Sequence, residues 1–138
     1  MKVAIMYAPM PQSLEQSARA LGRALEENGH RVEYLPMGKN DRPRSMKTYD
    51  FFYLGSVAEG VFGSKIPAAV AEYLKQLRGV EGTKSAAFLM KSALGLGNAK
   101  GLRRLMGVLE SAGAMVMDFQ LIGGQADCDA LAQRLKPF

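Results

Sequence analysis

The sequence has one cysteine, one histidine and no apolar run long enough to cross a bilayer. Cys128 alone cannot build an internal disulfide framework or a cysteine-cluster metal site. It falls on the apolar stripe of the last predicted helix, where a thiol reads as an inert small hydrophobe. His30 follows Gly29 in a predicted helix-to-strand turn, far in sequence from any nucleophile and carboxylate, and reads as a solvated turn residue. No Ser-His-Asp order, metal-ligand spacing or paired-carboxylate site is recognisable. The chain therefore has no catalytic constellation of its own, and any redox chemistry would belong to a bound cofactor. The absence of a stretch approaching roughly 20 apolar residues argues against a membrane partner. Met1-Lys2-Val3-Ala4-Ile5 runs straight into a strand pattern, without the longer apolar region and cleavage site of a signal peptide, so cytoplasmic residence is expected. Neither a repeat nor a low-complexity linker divides the chain, and residues 1–138 are expected to form a single domain.

What is present is a regular alternation of two periods. Of the 138 residues, 48% are apolar and 22% charged, the balance of a soluble globular chain. Val3-Ala4-Ile5-Met6-Tyr7, Phe51-Phe52-Tyr53-Leu54 and Ala86-Ala87-Phe88-Leu89-Met90 are continuous apolar runs, as strands buried on both faces require. Arg31 to Leu35 and Ala114 to Ile122 supply two more strands. Between them, Leu14, Ala18, Leu21 and Leu25 recur at helical spacing. So do Val70, Tyr73, Leu74 and Leu77, then Leu102, Leu105, Met106 and Leu109, and finally Cys128, Leu131, Ala132 and Leu135. Gly29 offers a left-handed end to the first helix, and Pro67 falls in the first turn of the second. Residues 38 to 49 are polar and basic and read as a loop or short helix. This order predicts an α/β fold with three layers, a doubly wound parallel sheet joined by right-handed crossovers.

The first strand meets the first helix through Tyr7-Ala8-Pro9-Met10-Pro11-Gln12-Ser13. In an α/β sheet this turn usually receives a phosphate, because N–H groups at the helix start point into it. Here the turn contains no glycine, and its two prolines have no N–H to give. Ser13 with Gln16 fits a capping box, in which the helix start satisfies itself. The other reading leaves Gln12, Ser13 and the N–H groups of Leu14 and Glu15 to hold an anion.

The chain resembles the flavodoxin-like family. The matching pieces are Val3-Ala4-Ile5-Met6-Tyr7, Leu25-Glu26-Glu27-Asn28-Gly29, Tyr49-Asp50 before the third strand and Gly55-Ser56 after it. Ile66-Pro67 opening a helix and Leu109-Glu110-Ser111-Ala112-Gly113-Ala114 leading into strand five complete the set. Together they cover roughly residues 2 to 135. The resemblance implies a five-stranded sheet of order 2-1-3-4-5, with a ligand crevice where the strand order reverses. It also implies flavin mononucleotide (FMN) as the ligand, held by the loops after strands one, three and four.

On that resemblance the cofactor-binding candidates are Met10, Gln12, Ser13 and Leu14 in the first loop. The second loop supplies Ser56, Val57, Ala58, Gly60 and Phe62, and the third supplies Lys91, Ser92, Gly95 and Asn98. Phe62 is either the aromatic shield of a flavin ring or a residue tucked against the core. Asn98 is either a ring-edge contact or a helix N-cap. Flavodoxins wrap the phosphate in a loop rich in Ser, Thr and Gly, and this first loop has only the Ser13 hydroxyl. The expected protein is a flavodoxin relative with a diverged phosphate loop and weak or absent FMN binding, serving as a ligand- or partner-binding module. The alternative is a genuine FMN-binding electron-transfer flavodoxin. The formal charge of +5 favours anionic partners. Lys39, Arg42, Arg44 and Lys47 would dock an acidic redox or regulatory protein, or are simply a solvated loop. Without interleaved aromatics they do not argue for nucleic acid.

Overall fold

In the computed structural model, the described residues are 1–38, 45–60, 63–92 and 94–137. Strand and helix alternate as β1 (Lys2–Tyr7), α1 (Gln12–Glu27), β2 (Arg31–Pro36), β3 (Phe51–Ser56), α2 (Ala68–Lys75), β4 (Lys84–Met90), α3 (Asn98–Ser111), β5 (Met115–Ile122) and α4 (Gln125–Gln133), with one short 3₁₀ turn at Met46–Thr48. The strands form one parallel sheet of order β2-β1-β3-β4-β5. Both the α/β class and the strand order expected from the sequence are observed.

The apolar runs explain why the sheet is sandwiched. Alternate residues of β1 serve opposite faces: Val3, Ile5 and Tyr7 join one core, Ala4 and Met6 the other. The first core is roofed by Leu14, Leu21 and Leu25 of α1 and by Cys128 and Leu131 of α4. The second is roofed by Val70 and Leu74 of α2 and by Leu102, Leu105 and Leu109 of α3. Full burial of each such leucine is worth about 1.5–3 kcal/mol. Two strands are therefore edges, β2 and β5.

Local chemistry sets several boundaries differently from the sequence expectation. Pro11 sits at the N-cap of α1 in extended backbone, and no side chain caps that helix. The helix thus starts one residue before Ser13, which lies inside the first turn, and the Ser13–Gln16 capping box does not form. Pro67 likewise stands at the N-cap of α2 rather than within its first turn. Gly29, at φ +91°, ends α1 as expected, and His30 N–H returns to Leu25 O at 3.1 Å.

His30 itself is not solvated. It is 6% exposed, and its Nδ1 lies 3.2 Å from the Met1 nitrogen. Burial, aided by the positive Met1 amino group, lowers its pKa below the ordinary histidine value. The parallel pairing of Lys2 with Arg31 brings the start of β1 over this turn. Cys128 is buried as expected, and burial pushes its thiol up to about 11.

Candidate functional site

The switch in strand order lies between β1 and β3, so the crevice opens beyond Tyr7 and Ser56, flanked by the loop after β4. The first wall is the start of α1. Leu14 N–H turns back to Pro11 O at 3.0 Å. Among the described residues, the N–H groups of Gln12 and Ser13 find no acceptor, so two donors remain for an incoming anion. A carboxylate already stands near this positive helix end. Glu15 lies in the first turn, 3.7 Å from Arg19 and 3.5 Å from the Tyr7 hydroxyl. Tyr7 closes the floor of the turn. Burial raises its pKa, with Arg19 opposing and Glu15 reinforcing that shift. Ser13 lines a groove of about 400 Å³ between α1 and α4, together with Gln16, Ser17, Met90, Gly124 and Cys128. Met10 stands 75% exposed beside the turn.

The second wall largely satisfies itself. Ser56 is buried, and its hydroxyl donates to Val57 O at 2.8 Å. Val57 packs into the core under α1 and α4, whereas Ala58 packs into the core under α2 and α3. Glu59 and Lys65 exchange N–H donations at 2.7 and 2.9 Å, closing a small loop that contains Gly60. Arg104 of α3 pins this loop, donating to Ser64 O at 3.1 Å and Ser64 Oγ at 3.2 Å. Phe62 lies outside the described residues.

The third wall is held the same way. Lys91 N–H is taken by Ile122 O at 2.9 Å, and the Lys91 side chain runs beside Gly123. Asn98 does not cap α3. That position belongs to Gly97, at φ +73°, a conformation glycine adopts freely. The Asn98 carboxamide instead accepts Ser92 N–H at 3.0 Å, and the Ser92 hydroxyl donates to Leu96 O at 3.1 Å. Gly95 N–H closes a turn onto Ser92 O at 3.1 Å. Leu94 and Leu96 are left at 83% and 53% exposure.

Loops two and three touch. A Cβ at Gly63 would stand 3.1 Å from Leu96 O, and one at Gly101 would stand 3.4 Å from the Ala58 Cβ. Gly63 of the second loop thus stands against Leu96 and Ser92 of the third, and Ala58 stands against Gly101 of α3. The polar side chains of Ser56, Ser92 and Asn98 are already engaged with protein. The first loop has two prolines without N–H, a carboxylate follows in the first helical turn, and the loop's serine hydroxyl is that of Ser13, whose residue lines the α1–α4 groove.

No family model matches the chain, and no curated protein matches it. Solved structures do. Oxidised flavodoxin 2 from Bacillus cereus is 21% identical, with a TM-score of 0.73 over 96% of each chain. Two-electron reduced Megasphaera elsdenii flavodoxin is 19% identical, with a TM-score of 0.73 over 95% of this chain and 96% of that one. Flavodoxin from Pseudomonas aeruginosa, as a cysteine-to-alanine mutant, is 16% identical, with a TM-score of 0.71 over 96% of this chain and 95% of that one. No described helix is long and apolar enough to cross a membrane. Strand order, layer arrangement and these likenesses agree that the chain has the flavodoxin-like fold.

Proposed function

We propose that this chain is a flavodoxin-fold protein whose crevice has lost strong phosphate recognition. It binds FMN weakly or not at all and serves as a binding module for another ligand or a partner protein. The observation that carries this reading is the turn into α1: Pro9 and Pro11 without N–H, the second of them at the cap, and Glu15 in the first turn. Each missing charge-assisted hydrogen bond to a phosphate costs about 1.5–3 kcal/mol. Two such losses weaken binding by roughly two to four powers of ten.

The second reading is an FMN electron carrier. The exposed Leu94 and Leu96 favour it, because apolar side chains at the rim would cover a planar ring. An acidic partner is part of the proposal as well. Lys47 is exposed, while Lys39, Arg42 and Arg44 lie outside the described residues. The net charge of +5 supports an anionic surface opposite them.

Dialysis after incubation with excess FMN separates the two readings. The expected product is colourless protein. A retained flavin band with quenched fluorescence would establish the electron carrier instead. Pro11→Ser restores one N–H and one hydroxyl, and is expected to tighten FMN binding by at least tenfold, the equivalent of about 1.4 kcal/mol. Unchanged affinity would remove the loop from the explanation.

A further inference from the structure

The edge strand β5 carries an arrangement that the crevice does not use. Met115 N–H donates to Thr83 O and Lys91 N–H to Ile122 O, both at 2.9 Å, so these two positions face β4. The ladder shifts register between Ser85 and Ala86, which pair with Val116 and Asp118 and leave Met117 as the extra residue. Beyond that bulge Asp118, Gln120 and Ile122 face β4, and Phe119 and Leu121 present their backbone groups to the open edge.

The edge is apolar. Met115, Met117 and Phe119 are 48%, 55% and 52% exposed. A long edge strand of this kind is a template for another strand. Yet three of its outward groups are occupied by side chains. Phe119 N–H donates to Asp118 Oδ1 at 2.8 Å, and Phe119 O accepts from Arg134 Nη2 at 3.2 Å. Leu121 O accepts from Gln120 Nε2 at 3.2 Å. Arg134, just past α4, ties the set together. It grips both carboxylate oxygens of Asp118 at 2.9 and 3.1 Å and reaches Gln120 Oε1 at 2.9 Å.

We propose that β5 is a self-pairing edge kept closed by Asp118, Gln120 and Arg134, and that what these residues exclude is a second copy of this chain. Antiparallel pairing about a two-fold axis at Phe119 makes the strand complementary to itself. Phe119 N–H and O would then meet the same groups of the copy. Met117 would face Leu121, and Asp118 would face the neutral Gln120, so no like charges oppose. The copy would thus satisfy the two groups of Phe119 that Asp118 and Arg134 satisfy in the single chain.

Sedimentation velocity on the full chain tests this. The wild type is expected to keep one chain mass across concentration. Asp118→Val with Arg134→Ala should rise toward two chain masses, and adding Phe119→Lys should return it to one. A double variant with a native circular dichroism spectrum and a single chain mass overturns the proposal, as does a wild type that already pairs. Amide exchange on the wild type decides the matter even where the variants fail to fold. Phe119 N–H should exchange as slowly as Gln120 N–H, which faces β4. Exchange as fast as that of Leu121 N–H, which has no acceptor among the described residues, sinks the idea.

Discussion

Gly55 of β3 stands directly opposite Phe88 of β4, and the Phe88 ring fills the space a side chain at position 55 would need. A Cβ there would lie 2.1 Å from the Phe88 Cζ. Phe88 is 1% exposed and has no room to retreat. Gly55→Ala is therefore expected to destabilise the fold by about 1–3 kcal/mol, the usual cost of overpacking. Urea unfolding would measure it. Gly55→Ala with Phe88→Leu should recover part of the loss, because the shorter side chain vacates the contact.

Asn98 holds the loop after β4 through one hydrogen bond to Ser92 N–H. Asn98→Ala is expected to cost about 0.5–1.5 kcal/mol. The Ser92 amide should then exchange faster with solvent, and Asn98→Asp, which keeps the accepting oxygen, should restore its protection. Equal exchange in Asn98→Ala and wild type would show that the side chain does not hold the loop.

Cys128 gives a pH dependence with a defined sign. Burial comes first, and Asp129 and Asp127 add to it, in raising the thiol from 9.0 to about 11. The folded chain therefore holds its proton more tightly than the unfolded chain. The resulting stability is complete below pH 9 and is lost as pH rises toward about 11. Cys128→Ala should flatten unfolding free energy across that window. A thiol reagent at pH 8 should react with the native protein far more slowly than with the urea-unfolded chain.

The sheet was legible in the sequence because buried parallel strands leave continuous apolar runs, and Val3 to Tyr7 or Ala86 to Met90 have no other economical reading. The helix starts were harder. Ser13 and Asn98 both carry side chains that cap helices, yet neighbours took both positions. Pro11, with its fixed φ, began α1 early, and Gly97 turned the chain into α3 by a left-handed step. His30 was misplaced because its burial depends on Met1, 29 positions away in sequence. Arg104 and Arg134 carry no sequence signal of their roles, because their partners, Ser64 and Asp118, stand 40 and 16 positions away. At the crevice, residue types and their order suggested which loops to consider. Which polar groups would be spent on the protein itself depended on loop geometry that spacing does not encode.

Gly101 lends this mouth a stiffness of its own. The helix α3 meets Leu89, Ala58 and the Gly63 carbonyl where a Cβ would find atoms at 2.9, 3.4 and 3.5 Å. Strand end, second loop and helix are thus keyed together at a bare α-carbon. A side chain at position 101 would therefore press on the strand end and the second loop at once, and a single methyl group there would already displace the Leu89 side chain.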